Sequence, residues 1–288
     1  MQTSTNSQQS ANTDASHTSP DSPFNLTPPL GLKDKLVRFF FNRGMKDKHL
    51  RLLVRRYWPT MRVVIEGLQF DLHPADNTTE RVLYMSRQLD ERESLQALAN
   101  EIKNTRTLIF DIGANCGLYS VYLSKAAGPG SELYAFEPSP DMAARLMQNL
   151  RLNDVDSTTT VHQVALAAER GVTTLHVHNR NHGQSSLRSL DNSSTAIEVE
   201  QRPLADYLHH RDSFDNCVIK IDVEGREDTI LFPFFSTCPD AQLPAAVLIE
   251  MVLENCWTHD LRQQLQKRGY TVVFEKEGNA LFKLTHAN

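Results

Sequence analysis

The sequence predicts an α/β fold, a doubly wound and mostly parallel sheet with an N-terminal helical extension. Three observations carry that reading. Short apolar runs at 108–110, 132–136 and 218–221 each stop at an acid, Asp111, Glu137 and Asp222, as buried strands do when polar groups gather at their carboxyl ends. Stretches of helical spacing lie between the strands, so the two element types alternate. Gly113 and Gly117 punctuate the first strand-to-helix junction, where a backbone free of Cβ can turn tightly.

The elements follow in order. Residues 1–30 are rich in Ser, Thr, Asn, Gln and Pro, with Phe24 the only aromatic. A segment of that composition buries too little apolar surface to offset its ordering entropy and is expected to be a disordered tail. From 31 to 57, Leu32, Leu36 and Phe40 share one helical face, and Leu50, Leu53, Val54 and Tyr57 resume the spacing after Gly44. Between Lys33 and Arg56, nine Lys or Arg stand against Asp34 and Asp47, a local +7 in a chain of net −5. Such an arm either packs on the main domain with a solvated basic face or meets an anionic membrane or lipid-linked substrate.

Alternation through Val63, Ile65, Leu68, Phe70 and Leu72 predicts a hairpin turning at Glu66-Gly67. The arm and hairpin together form a unit at 31–76, followed by the main domain at 77–288. Leu83, Leu89, Leu95, Leu98 and Ile102 predict a helix over 79–103. Strand 132–136 ends at Glu137-Pro138-Ser139-Pro140, and Pro140 and Asp141 suit the first turn of the next helix. Strands are expected at 161–166, 172–178, 196–199, 218–222 and 245–251. A helix around Leu261 and Leu265 stops at Gly269, and 271–274 with 280–284 form a closing antiparallel pair.

Bulk properties narrow the function classes. The chain is 288 residues, 40% hydrophobic and 23% charged, an ordinary globular composition. Its acidic body argues against a nucleic-acid partner. Cys116, Cys217, Cys238 and Cys256 form no C-x-x-C pair and no zinc spacing, which fits scattered reduced thiols. No apolar run approaches the ~20 residues of a membrane span, and the N-terminus lacks the features of a secretory signal. A cytoplasmic location is expected.

The glycine loop then defines a ligand class. Starting from Gly113, a G-x-G-x-x-G fingerprint would need glycine at Asn115 and Leu118, so a dinucleotide site fails. No G-K-[ST] follows, so a P-loop fails as well. What remains is D-x-G-x-x-x-G with Glu137 at the end of the next strand, placed to accept hydrogen bonds from ribose hydroxyls. S-adenosylmethionine has a ribose and no pyrophosphate, and can do without the third glycine. Taken alone, Asp111 serves equally to order the loop.

Asp111-Ile112-Gly113-Ala114-Asn115-Cys116-Gly117, Phe136-Glu137-Pro138, Asn149-Leu150-x-Leu152-Asn153 and Lys220-Ile221-Asp222-Val223-Glu224-Gly225-x-Glu227 occur in this order. The series resembles the FkbM-type family of S-adenosylmethionine-dependent methyltransferases, from about residue 77 to the C-terminus. Cys116 stands where that family commonly carries a β-branched residue. The resemblance implies a seven-stranded Rossmann-like sheet and O-methylation of a hydroxyl on a carbohydrate, glycolipid or secondary metabolite, so the partner is a small-molecule or glycan acceptor. It also implies cofactor contacts at Asp111, Gly113, Asn115 and Gly117 for the methionine end, Glu137 for the ribose and Ala165 beside the adenine.

A hydroxyl acceptor must lose its proton, and three residues are candidates for the base. Asp222 ends a core strand and Glu224 follows two residues later, on the same face if the strand persists. The alternative for both is to order the loop or cap the following helix. His182, in a polar loop, titrates near neutrality. Glu250 ends another strand and with Asp222 offers oxygen ligands, but two acids on separate strands do not define a metal site and none is predicted. The alternative from another class is a non-catalytic nucleoside-binding module built on the same fold.

Overall fold

The computed structural model describes residues 60–178, 185–186 and 194–285. The polar tail, the basic arm at 31–57 and His182 lie outside the described residues.

The hairpin forms as the alternation predicts, β1 (Met61–Ile65) pairing antiparallel with β2 (Leu68–Leu72). Glu66 and Gly67 both turn at positive φ, 50° and 85°, the two-residue geometry that matches strand twist. Two asparagines one turn apart tie it to the body: Asn149 Oδ1 accepts from Asp71 N at 2.8 Å, and Asn153 Oδ1 accepts from Gln69 N at 2.9 Å. These are the asparagines of the Asn149–Asn153 motif, and they complete the backbone bonding of β2 from α4 (Pro140–Leu152) and its C-cap.

The helix expected over 79–103 is two helices, α1 (Thr78–Ser86) and α2 (Arg92–Asn100). Arg87 takes a left-handed φ of 55° and closes α1 by donating its N–H to Leu83 O, and Glu91 opens α2 at φ 50°. The leucine spacing survives the break because Leu89 is buried between the two helices. Asn77 caps α1 through Glu80 N.

Seven strands form the main sheet: β3 (Thr107–Ile112), β4 (Glu132–Phe136), β5 (Thr159–His162), β10 (Asn216–Ile221), β11 (Ala246–Glu250), β12 (Tyr270–Lys276) and β13 (Asn279–Leu284). Their order is β12-β13-β11-β10-β3-β4-β5. The strands from β5 to β11 are parallel, and β13 runs antiparallel to both β11 and β12. The expected strand at 161–166 is divided. Its first part is β5, while β6 (Ala165–Leu166) joins a second sheet with β7 (Gly171–His178), β8 (Ser185–Ser186) and β9 (Ser194–Arg202), in the order β6-β9-β7-β8.

All six residues of β3 are buried, and the strand feeds both faces of the sheet. Leu108, Phe110 and Ile112 pack with Ile230, Leu231 and Phe235 of α5 (Glu227–Thr237) and with Leu261 and Leu265 of α6 (Leu261–Lys267). Ile109 joins the opposite core, built from α1, α2, α3 (Leu118–Ala126) and α4 together with Val63, Ile65, Phe70 and Leu72 of the hairpin. Alternation along the strand decides this partition. Sequence periodicity marks α5 poorly, because its apolar residues run almost continuously and Pro233 sits within it. All four cysteines are free, three of them buried. Among the described residues, no helix is long and apolar enough to cross a membrane.

Candidate active site

The chain leaves β3 outward to β4 and β5, then returns to the other side of β3 as β10. Reversals of this kind open a crevice at the carboxyl ends of the strands, and the glycine loop lies there. Gly113 has φ 75°, and a Cβ on it would overlap the carbonyl oxygen of Asp222 at the end of β10. Glycine is needed here for two strand ends to meet. Gly117, at φ 93°, caps α3, and its own Cβ would lie 2.6 Å from Leu146 Cδ1 of α4.

Every amide of the loop is committed within the protein. Gly113 N and Ala114 N both donate to Phe136 O, Asn115 N to Glu137 Oε2, Cys116 N to Asn115 Oδ1 and Gly117 N to Ala114 O, at 2.8–3.0 Å. The loop is therefore rigid, and presents side chains and carbonyls to a ligand.

Glu137 is buried at the end of β4. Its Oε2 takes the Asn115 amide and its Oε1 the Ser139 amide, both at 2.9 Å. Burial pushes its carboxyl up to about 7, against the pull of those two amides and of Lys220. Each oxygen of a carboxylate has a second lone pair, so Glu137 retains capacity for ribose hydroxyls. It lines a cleft enclosing about 750 Å³ of space, the open mouth included. Val164, Ala165 and Leu166 with Phe136, Leu175 and Ile230 make an apolar wall, and Gly113, Asn115, Asp222, Glu224 and Arg226 are among the other lining residues. One acid for a ribose and an apolar slot for a base fit an adenosine-bearing cofactor.

Lys220 interrupts the apolar run of β10 and is almost wholly buried. Its Nζ donates to Gly113 O at 3.1 Å, lies 3.5 Å from Asp111 Oδ1 and 4.0 Å from Asp222 Oδ2, and stands 4.9 Å over the Tyr119 ring. Burial draws this ammonium toward neutrality, but Asp111, Asp222 and Glu91 outweigh it and hold the pKa above the ordinary lysine value. Asp111 is fully buried, receives the Ser120 hydroxyl at 2.5 Å and borders no described cleft.

Strand β10 ends at Ile221, and Glu224 and Gly225 turn at φ 56° and 83°. The strand does not persist to Glu224, so the alternation that would put Asp222 and Glu224 on one face lapses; both nevertheless line the cleft. Burial, with Asp222 and Glu227 nearby, pushes the Glu224 carboxyl up to about 7. Carboxylate oxygens of Asp222, Glu227 and Glu250 lie within 4.8 Å of one another. Glu227 is occupied, however: Oε1 accepts from Val223 N and Gly225 N, and Oε2 from Trp257 Nε1. Glu250 Oε2 is buried without a hydrogen-bond donor, and burial followed by the charge of Asp222 pushes its carboxyl up to about 9.

Of the residues singled out in the sequence, Gly113, Asn115, Glu137, Ala165, Asp222 and Glu224 share the cleft, while Asp111 and Gly117 hold its frame. Three contributors were not assigned a role from sequence. Lys220 carried a signal, a lysine within an apolar strand that must find partners when buried. Asn77 and Glu91 carried none, since Asn77 reaches Asn115 Oδ1 across 38 residues and Glu91 fell inside an expected helix.

Residues 111–272 match the family described as the methyltransferase FkbM domain. The methyltransferase sdnD of Sordaria araneosa is 38% identical over 122 residues, which cover 40% of this chain and 43% of that protein, less than half its length. Among solved structures, the chain is similar to methyltransferase FkbM of Methylobacillus flagellatus KT, with a TM-score of 0.44, 16% identity and coverage of 73% of this chain and 55% of that one. It is also similar to the O-methyltransferase TomG of Streptomyces achromogenes, with a TM-score of 0.41, 15% identity and coverage of 67% and 80%. The family match covers more than half of the sequence and includes the glycine loop, Glu137 and Asp222: this chain belongs to the methyltransferase FkbM domain family, whose cofactor is S-adenosylmethionine.

Proposed function

We propose that the protein transfers a methyl group from S-adenosylmethionine to a hydroxyl oxygen of a small-molecule or glycan acceptor. The observation that carries this reading is the sharing of one cleft by Glu137 with its apolar wall and by the acids Asp222 and Glu224. When bound, the cofactor supplies an electrophilic methyl on a sulfonium. Residues Gly113, Asn115, Glu137 and Ala165 hold it, with Glu137 accepting from the ribose hydroxyls.

The remaining work is to align the acceptor oxygen and remove its proton. Holding two reactants in line lowers a barrier by several kcal/mol, about 7–11 in the best intramolecular cases. Asp222, at the rigid end of β10, orients the hydroxyl. Glu224 suits the proton-accepting role, because a carboxyl titrating near 7 is a stronger base than an ordinary glutamate and is still ionised in part at neutral pH. Acceptor choice belongs in this reading to the polar stretch 179–186 and to the basic arm at 31–57, whose contact with an anionic membrane or lipid-linked acceptor is part of the same proposal.

The test uses methyl-labelled S-adenosylmethionine incubated with metabolite and glycan extracts. Label is expected in an acceptor with the wild-type protein and is expected to fall by two orders of magnitude or more in Asp222→Asn, with binding of S-adenosylhomocysteine retained. Turnover by Asp222→Asn near the wild-type rate would exclude its role. Wild-type protein that binds S-adenosylhomocysteine but labels nothing under any condition favours the binding-module reading.

A further inference from the structure

A second cleft, about 400 Å³ with its open mouth, shares Gly113, Asn115 and Asp222 with the first, so the two form one groove across the glycine loop. Its far wall comes from Thr79, Asp90 and Glu91 and from the start of α3 at Leu118 and Tyr119, with Lys220 bordering it. The wall is mixed in sign. Residues 79–91 precede the part of the chain that matches the family.

The inference rests on the cofactor site proposed above. The methionine end of S-adenosylmethionine is a zwitterion, so its seat needs an acceptor for an ammonium and donors for a carboxylate. The leading N–H groups of α3 have no carbonyl within their own helix, and two of the residues that carry them, Leu118 and Tyr119, line the groove. The ammonium needs a carboxylate, and the surroundings separate the candidates. Asp111 borders neither cleft; of the acids that do, Asp222 is shared between Lys220 and Glu250, and Asp90 already accepts the Glu91 backbone N–H.

Glu91 differs from these. It occupies the N-cap position of α2 at φ 50° yet its side chain caps nothing. Instead Tyr119 Oη donates to Glu91 Oε2 at 2.7 Å, which pins the carboxylate beside the groove and leaves Oε1 with no donor among the described residues. Burial pushes its carboxyl up, partly relieved by the Tyr119 bond and Lys220, so a further cation would complete it. A non-glycine residue in the left-handed region is held there by its surroundings at some cost, and here the gain is the direction of a carboxylate.

We propose that Glu91, held by Tyr119, receives the α-amino group of the cofactor's methionine end. Calorimetric titration of the full chain with two probes tests this: S-adenosylhomocysteine, and its des-amino analogue in which hydrogen replaces the α-amino group. The wild-type protein is expected to prefer S-adenosylhomocysteine by about tenfold or more, the range of a charge-assisted hydrogen bond. Glu91→Gln, which keeps a Tyr119 acceptor, is expected to remove that preference while binding the des-amino analogue as tightly as before. Tyr119→Phe, which frees the carboxylate without deleting it, is expected to reduce the preference in part. A preference that survives intact in Glu91→Gln, or equal weakening of both probes, overturns the inference. Failure of the wild-type protein to bind either probe overturns the cofactor-site reading itself, and the inference with it.

Discussion

Asn115 N donates to Glu137 Oε2 at 2.9 Å, joining the loop after β3 to the acid at the end of β4 across 22 residues. The bond makes one unit of the two features that the sequence offered separately. The loop sets the direction of the carboxylate, and the carboxylate sets the left-handed turn at Asn115, where φ is 51°. In the proposed ribose-binding role, Glu137 would offer a group already fixed in place, so little ordering entropy would remain to be lost on binding.

Gly113→Ala tests how the loop is seated. A Cβ there would overlap the Asp222 carbonyl and would also demand a positive φ. Loss of stability on the order of 3 kcal/mol is expected, as for strain in a packed site. Gly67→Ala is the control, since Gly67 has φ 85° but nothing within 4 Å, and only about 1 kcal/mol is expected there. Urea unfolding midpoints compare them, and equal losses would mean that backbone conformation alone sets the requirement at Gly113.

Lys220→Met should be among the most damaging single changes in the fold. It leaves Asp111, fully buried, without the cation 3.5 Å away, and breaking a buried pair costs about 3–5 kcal/mol. The double variant Asp111→Asn with Lys220→Met should recover part of that loss, because the stranded charge is gone. Thermal unfolding of both variants checks the order, and a double variant less stable than Lys220→Met would count against the pairing.

Glu250 makes stability pH-dependent. Its folded pKa of about 9 lies above the ordinary 4.5, so the folded state holds a proton that the unfolded state releases. The stabilisation is fully present below about pH 4.5 and is lost as pH rises through 9. Glu250→Gln imitates the protonated carboxyl and should remove this slope. Between pH 5 and 8 the wild type should lose on the order of 1 kcal/mol more than the variant, a figure discounted for solvent at a partly exposed carboxyl. Melting temperatures across that range decide the matter, and parallel curves would show that Glu250 ionises normally in the fold.

The sheet and its ligand-bearing end were readable because period-two burial and glycine punctuation are local signals. Hairpin β1–β2, the glycine loop, Glu137 and the Asp222–Glu224 segment all announced themselves within a few residues. Long-range devices did not. Nothing near Leu89 in the sequence shows that a run of leucines breaks into two helices, because the periodicity describes burial and Arg87 and Glu91 bend the backbone without disturbing it. The motif assigns Asp111 to the cofactor, but no local pattern shows that its carboxylate also meets Ser120 and Lys220 in the fold. The division of 161–166 between two sheets depends on β9, whose partner residues Gln201 and Arg202 lie 36 positions onward from Ala165 and Leu166, a pairing that no local pattern encodes.

The central claim is that the cleft at the carboxyl ends of β3 and β4 holds S-adenosylmethionine through Glu137. Titration with S-adenosylhomocysteine at pH 8 tests it most directly, in the wild type and in Glu137→Ala. Binding of one equivalent is expected in the wild type and at least about tenfold weaker binding in the variant, as for loss of hydrogen bonds to a charged group. Wild-type affinity should also fall as pH drops through about 7, where Glu137 takes up a proton. No binding by the wild type, or equal affinity in the two proteins, would contradict the account.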